Sequence, residues 1–221
     1  MTPPLAAWGL SGDIVPLTGG HRNTALRVGT HVLKTTRRSE AALHWLGPVQ
    51  DVAARCGLFA PRLIPSLSGT LCVEGWTCEP FCEGTETPPD DIAGQVAALH
   101  KRGHDLPQRP GFASARDLVS ADRGGDIDLA EMPRDLVKAL RAQWAQLERP
   151  ETAIHADLNP TNILRDADGR VTLVDWDEAR RDVALFDLAD PSHPARRAWE
   201  IACCWQIEPE RARHLAHLFA V

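Results

Sequence analysis

Residues 155 to 179 read HADLNPTNILRDADGRVTLVDWDEA, the densest run of chemistry-bearing side chains in the sequence. Asn162 and Asp175 sit at the outer ends of two apolar runs, and Asp168-Gly169 between them is a favoured dipeptide for a two-residue hairpin turn. That turn would set Asn162 opposite Asp175, Ile163 opposite Val174 and Leu164 opposite Leu173, matching apolar residues with apolar residues. Directly opposed Cβ atoms lie roughly 5 Å apart, so an amide oxygen and a carboxylate could grip one hard cation; magnesium prefers oxygen and keeps some water. Asp157 lies one loop upstream. A carboxylate near such a metal but not needed as a ligand can accept a proton from a hydroxyl nucleophile or orient it, the base's task in phosphoryl transfer. Asp and Asn are also ordinary turn and cap residues, so an isolated His155-x-Asp157 or Asp175-x-Asp177 means little; their combination in one register carries the reading.

The elements that would position these groups follow from hydrophobic period. TALRV and HVLK (24–28 and 31–34) read as strands around Gly29-Thr30, and TLCVEG with WTCEPF (70–81) as a second pair. Between them a helix begins at Ser39, a hydroxyl suited to capping, with Ala42, Leu43 and Leu46 on one side. Gly47-Pro48 should interrupt it before VQDVAARCGL. From about residue 88 the period becomes helical, at Ile92, Val96 and Leu99 in 90–102 and at Leu136, Val137, Leu140, Trp144 and Leu147 in 135–148. The expectation is an α+β chain of two lobes with a cleft between them: a strand-rich portion at 1–81 and a larger helical portion at 82–221.

Composition narrows the partners. The chain of 221 residues is 43% hydrophobic and 24% charged, enough for a sizeable core. A net charge of −6 without a basic stripe argues against nucleic acid. No segment has the roughly 18 apolar residues of a membrane span, and the start, MTPPLAAWGLSGDIVP, has no basic region followed by an apolar stretch, so the cytoplasm is expected. The six cysteines form no pair of metal-type spacings and read as reduced thiols; Cys203 and Cys204 with His214 and His217 read as buried and helical residues rather than a zinc site.

HADLNPTN and VDWDEA resemble the catalytic segment of the aminoglycoside phosphotransferase and choline kinase superfamily, small-molecule kinases of the protein-kinase-like fold. The resemblance implies a small antiparallel-sheet N-lobe and a helical C-lobe, with Asp157 as catalytic base, Asn162 and Asp175 on magnesium, and His155 and Trp176 supporting the loop. Ala156 departs from the Gly of many members and would be restricted if a positive φ were needed there. LTGGHRNTALRV followed by HVLK is similar to the family's phosphate loop and lysine strand, which places Gly19, Gly20 and Lys34 on ATP phosphates and makes Glu40 the candidate partner of Lys34. An ordinary edge-strand lysine is the plain alternative for Lys34. WTCEPFCEG looks like the hinge that offers its backbone to adenine, through the Glu79 carbonyl and the Phe81 amide, since alternate residues of a strand present their backbone groups alike. In FDLAD, Asp187 would brace the catalytic loop.

The implied function is an ATP- and magnesium-dependent phosphotransferase acting on a hydroxyl of an aminoglycoside-, choline- or homoserine-like small molecule. The acidic balance near the site, with Asp177, Glu178, Asp187 and Asp190, favours a cationic acceptor, with Asp177 and Glu178 as candidate contacts. Trp199 and Trp205 read as core rather than as an aromatic cage. Two other readings stay open: a non-catalytic nucleotide-binding regulator on the same scaffold, and a metal-dependent phosphohydrolase with His155, Asp157, Asp175 and Asp177 as ligands.

Overall fold

The computed structural model describes residues 2–17, 23–148, 150–188 and 192–219. Its strands in chain order are β1 (Ile14–Leu17), β2 (Ala25–Val28), β3 (His31–Thr35), β4 (Leu58–Phe59), β5 (Trp76–Pro80), β6 (Thr85–Glu86), β7 (Arg123–Gly124), β8 (Ile127–Asp128), β9 (Glu151–Ile154), β10 (Ile163–Arg165), β11 (Val171–Leu173) and β12 (Arg180–Val183). The helices are α1 (Glu40–His44), α2 (Leu46–Arg55), α3 (Ala93–Arg102), α4 (Arg134–Trp144), α5 (Leu185–Leu188), α6 (Pro194–Ile207) and α7 (Pro209–Phe219). The α+β class is as the sequence implies, and among the described residues every strand pair is antiparallel except β11 with β4. Two compact units form, residues 1–88 with 159–174 and residues 89–158 with 175–221, so the 163–173 hairpin joins the first unit rather than the helical portion that surrounds it in sequence. Among the described residues no helix is long and apolar enough to cross a membrane.

In the first unit a sheet of order β1-β2-β3-β5 closes over Trp8, Val28, Leu33, Trp76 and Cys78. Burial, with Glu79 adding its charge, pushes the Cys78 thiol up to about 11, so that thiol stays protonated and inert. Strand β1 was not evident in the sequence because Pro16 interrupts it; at the sheet's edge the missing N–H costs no ladder bond. Of the pair expected at 70–81, only 76–80 is a strand: Glu74 and Gly75, both at positive φ, reverse the chain so tightly that just Val73 meets Trp76. The Ser39 hydroxyl accepts from the Ala42 N–H at 3.3 Å, as expected of a cap. Gly47-Pro48 does not interrupt the helix, contrary to expectation. The break comes at Trp45, and Pro48 falls in the first turn of α2, where an N–H would have no helical acceptor.

The hairpin register also corrects the sequence expectation. Ile163 faces Leu173, Leu164 faces Thr172 and Arg165 faces Val171, one residue away from the register expected. The loop has three residues instead of two. The Gly169 N–H donates to the Asp166 carbonyl at 3.0 Å, Gly169 takes φ +79, and the Asp166 carboxylate accepts from the Asp168 and Arg170 N–H groups at 3.0 and 2.9 Å. A type I turn followed by a left-handed residue competes with the two-residue turn for the same dipeptide, and Asp166 tips the choice by tying down the loop's backbone. Asn162 therefore lies across from Val174, whose N–H donates to the Asn162 carbonyl at 3.0 Å.

The second unit is built on the β9–β12 ladder, in which Ile154 faces Arg180 and Glu151 faces Val183. Helix α3 buries Val96 and Leu99, and α4 buries Val137, Leu140 and Trp144, on the stripes that the sequence period implies. Trp199 packs against this core, with ring centroids 6.2 Å from Trp144 and 5.4 Å from Phe186 and the Arg180 guanidinium 3.5 Å from its own centroid. Trp205 is partly buried and donates to the Glu131 carbonyl at 3.1 Å.

The loop geometry predicts unequal effects at adjacent residues. Gly169→Ala forces an L residue into the left-handed region and should cost about 1 kcal/mol, lowering Tm by roughly 2–4 °C. Asp168→Ala should stay within about 0.5 kcal/mol, because Asp168 is not at positive φ. Thermal melts of the two variants check this.

Candidate active site

The second unit brings Asp157 and Asp175 onto one end of the same ladder. Asp157 follows the last residue of β9 by three positions and Asp175 precedes the first of β12 by five, and Ile154 and Arg180 are paired at that end. The two segments touch through His155 and Trp176, whose rings meet edge to face at 4.7 Å, both buried. The His155 Nδ1 also accepts from the Asp157 N–H at a long 3.4 Å.

Backbone strain marks both segments. Among the described non-glycine residues, positive φ occurs at Glu74, at Ala156 (+71°) and at Asp175 (+60°). Ala156 thus adopts the conformation in which its methyl group is a restriction, and something must hold it there. That something is Asp187. Its Oδ1 accepts from the Ala156 N–H at 2.6 Å, and its Oδ2 from the His155 N–H at 3.0 Å and His100 Nε2 at 2.8 Å. Burial alone would raise the Asp187 pKa. The His100 hydrogen bond, the electrostatic influence of His100 and His155 and the Ala156 N–H outweigh it and hold the carboxyl below its ordinary value.

Several residues that the sequence did not single out complete this frame. His100, at the end of α3, reaches Asp187 and is itself held by the Thr152 hydroxyl, which donates to its carbonyl at 2.7 Å. Arg109 and Gln108 grip the segment after Asp175. Arg180 pairs with the buried Asp182 at 2.9 Å, and the Asp182 carboxylate also accepts from the Ala115 and Val183 N–H groups. A Gln-Arg between two prolines in a Gly/Pro-rich loop was the one available hint; its partners are roughly seventy residues away and invisible to local pattern.

In the first unit, Asn162 is buried at the start of β10. Lys34 lies on β3, paired with Ala25 and Thr77, so it occupies an inner strand and the edge-strand alternative falls. The Glu40 carboxylate accepts from the Leu71 N–H at 2.6 Å and lies 3.5 Å from His44 Nε2, which ties it to α1 and the 71–75 turn. The hinge expectation needs correction. The Phe81 N–H donates to the Thr30 carbonyl at 2.8 Å, so it is not available to a ligand. By alternation, Glu79 also turns its backbone toward β3, opposite Val32, whereas Cys78 faces the other way and accepts from the Ile64 N–H at 2.7 Å. The parity that joins 79 with 81 holds, but β3 occupies that side. The Phe81 ring instead lies under the Arg27 guanidinium, 3.8 Å from its centroid. Gly19, Gly20 and Asp190 lie outside the described residues.

Asp177 and Glu178 stand half-buried on the one-turn helix Trp176–Glu178 that Asp175 leads into. As for metal, the Asn162 amide and the Asp175 carboxylate are each hard oxygen donors of the kind magnesium takes. Among the described residues no group of three or more His, Cys, Asp or Glu could hold a metal ion.

The Asp187 frame predicts a pH signature. A carboxyl lowered in the folded state stabilises fully above its unfolded pKa near ~4, and that stabilisation is lost as pH falls through the folded value. Asp187→Asn should cost about 2–4 kcal/mol at pH 7, and the gap to wild type should narrow below pH ~4, by urea unfolding at both pH values. Ala156→Gly should stabilise by about 1 kcal/mol in the same assay.

Comparison with known proteins identifies the family. A family model described as a phosphotransferase enzyme family matches residues 13–203. A homoserine kinase of Methylobacterium sp. is 30% identical over 186 residues, 73% of this chain and 56% of that protein. One of Methylobacterium nodulans is 31% identical over 166 residues, 66% of this chain and 50% of that protein. The chain spans about half the length of the curated relatives it matches. Among solved structures, spectinomycin phosphotransferase APH(9)-Ia, in complex with ADP and spectinomycin, superposes with a TM-score of 0.56 at 10% identity, over 94% of this chain and 85% of that one. A choline/ethanolamine kinase family protein from Mesorhizobium loti gives 0.52 at 17% identity, over 98% and 88%. At such identities the likeness speaks for the fold. With the family model spanning most of its length, the chain belongs to the phosphotransferase enzyme family and has the protein-kinase-like fold.

Proposed function

We propose that this protein is an ATP- and magnesium-dependent kinase that moves the γ-phosphate of ATP to a hydroxyl of a small molecule. The observation that carries the reading is the strain at Ala156, braced by Asp187 immediately before Asp157, and at Asp175 itself, with the His155–Trp176 contact joining the two segments. Asp157 takes or orients the acceptor hydroxyl's proton as the new O–P bond forms and the bond to ADP breaks. Asn162 and Asp175 hold magnesium, which when bound neutralises phosphate charge. Gly19, Gly20 and Lys34 serve the phosphates, and Lys34 acts as a point charge. Adenine would meet the Pro80 carbonyl and the Cys82 amide rather than Glu79 and Phe81, a reading that the backbone alternation of β5 and the segment after it supports.

A homoserine-like acceptor is favoured among the candidates, because the matching curated relatives are named homoserine kinases. A homoserine-like acceptor is a zwitterion, and it is its ammonium end, not its carboxylate, that Asp177 and Glu178 suit by charge. ATP as donor accords with a cytoplasmic setting, and the acidic net charge with an acceptor that is not a nucleic acid. The regulator alternative leaves the joint presence of Asp157, Asn162 and Asp175 without a purpose. The phosphohydrolase alternative needs convergent side-chain ligands, which the described residues do not form.

Asp157→Ala should reduce kcat by about 10²-fold or more while leaving MgADP affinity nearly unchanged, since a base acts on the transition state. Coupled ADP release with homoserine and other amino alcohols measures the first effect and calorimetry the second; full turnover in the variant removes Asp157 from its role. Asp175→Ala should instead weaken binding of the magnesium nucleotide about 10-fold or more.

A further inference from the structure

Asp175 leads into the Trp176–Glu178 turn from the left-handed region, at φ 60° and ψ 63°, with no capping hydrogen bond from its own side chain. That conformation is unfavourable for an L residue, so the turn that follows must be held from outside. The Nη1 of Arg109 does this. It donates to the carbonyls of Trp176, Asp177 and Ala179 at 3.3, 2.8 and 3.0 Å. Three carbonyls can converge on one nitrogen only while the turn is closed, and the closed turn fixes the direction in which the chain leaves Asp175.

The arginine is itself registered. Gln108 brackets Arg181 on β12, its Oε1 accepting from the Arg181 N–H at 3.0 Å and its Nε2 donating to the Arg181 carbonyl at 2.8 Å. The same Oε1 accepts from the Arg109 N–H at 2.8 Å, and the Phe112 ring lies 4.4 Å from the guanidinium carbon. Arg109 is 1% exposed, so it does not greet a diffusing ligand. Taking a guanidinium out of water is costly, a disadvantage against an apolar residue of similar length unless the carbonyls it holds must stay in place.

We propose that Arg109, with Gln108 as its anchor, is a positioning residue that aims the Asp175 carboxylate for the magnesium nucleotide. The inference rests on the reading of Asp175 as a metal ligand. It concerns a residue that touches neither metal nor substrate, and it predicts an effect confined to the metal-dependent part of binding.

The test is calorimetric titration with ADP, with and without magnesium, on the full chain as wild type, Arg109→Met, Arg109→Lys and Asp175→Ala. Arg109→Met should lose about 10- to 100-fold in MgADP affinity, the range for lost outer-shell support, while metal-free ADP affinity stays within about twofold. Arg109→Lys should fall between, because an ammonium can donate to the same carbonyls from a shorter stem. Turnover should show a raised magnesium requirement with the acceptor KM unchanged. Wild-type MgADP affinity in Arg109→Met, with only a lower Tm, makes Arg109 plain structural glue and overturns the proposal. If that variant does not fold, wild-type MgADP affinity in Arg109→Lys overturns it equally. Should Asp175→Ala keep the full magnesium effect, the metal-ligand reading itself fails; should Asp175→Ala lose it while the arginine variants keep it, only the present inference falls.

Discussion

The buried carboxylate of Asp187 holds the backbone N–H groups of His155 and Ala156 and the imidazole of His100 at once. Burial disfavours its charged form, yet three donors converging on two oxygens keep it ionised. The arrangement is mutual: without those donors the charge could not stay buried, and without the charge Ala156 would have little reason to remain in the left-handed region. The direction in which Asp157 leaves β9 depends on that bargain between strain and electrostatics.

The same logic recurs through the second unit. Arg180 and Asp182 are both buried and paired, with the Ala115 and Val183 N–H groups filling the remaining carboxylate positions and Trp199 under the guanidinium. Arg109 satisfies three carbonyls of an irregular turn that has no ladder to satisfy them. In each case a buried ion serves backbone groups that irregular chain would otherwise leave without partners. Surface pairs such as Arg62 with Asp51 and Arg211 with Glu200 are screened by solvent and add little to stability.

Legibility in the sequence varied with the range of the deciding interaction. Helices α3 and α4 were plain because their buried positions recur at helical spacing, and the Ser39 cap because capping is local. Strand β1 was hidden by Pro16, which an edge tolerates and an inner strand would not. The hairpin's strands are legible and its register is not, since Asp168-Gly169 suits two loops and the Asp166 carboxylate chooses between them. In β5 the alternation of backbone groups was legible but its side was not, because only the pairing of Thr30 with Phe81 reveals which face β3 covers.

By itself the sequence determined the types of the reacting groups and their order along the chain: a carboxylate, an amide and a second carboxylate spaced around one hairpin, with a lone lysine on an upstream strand. These are local matters of residue chemistry and spacing. Tertiary structure decided which groups are held and by what. Asp187 to Ala156, His100 to Asp187 and Arg109 to the turn after Asp175 span 31, 87 and roughly 70 residues, and a hydrogen bond carries no trace of itself in the intervening sequence. Only folding brings such partners within 3 Å, and only there does burial make each bond strong enough to hold a strained backbone.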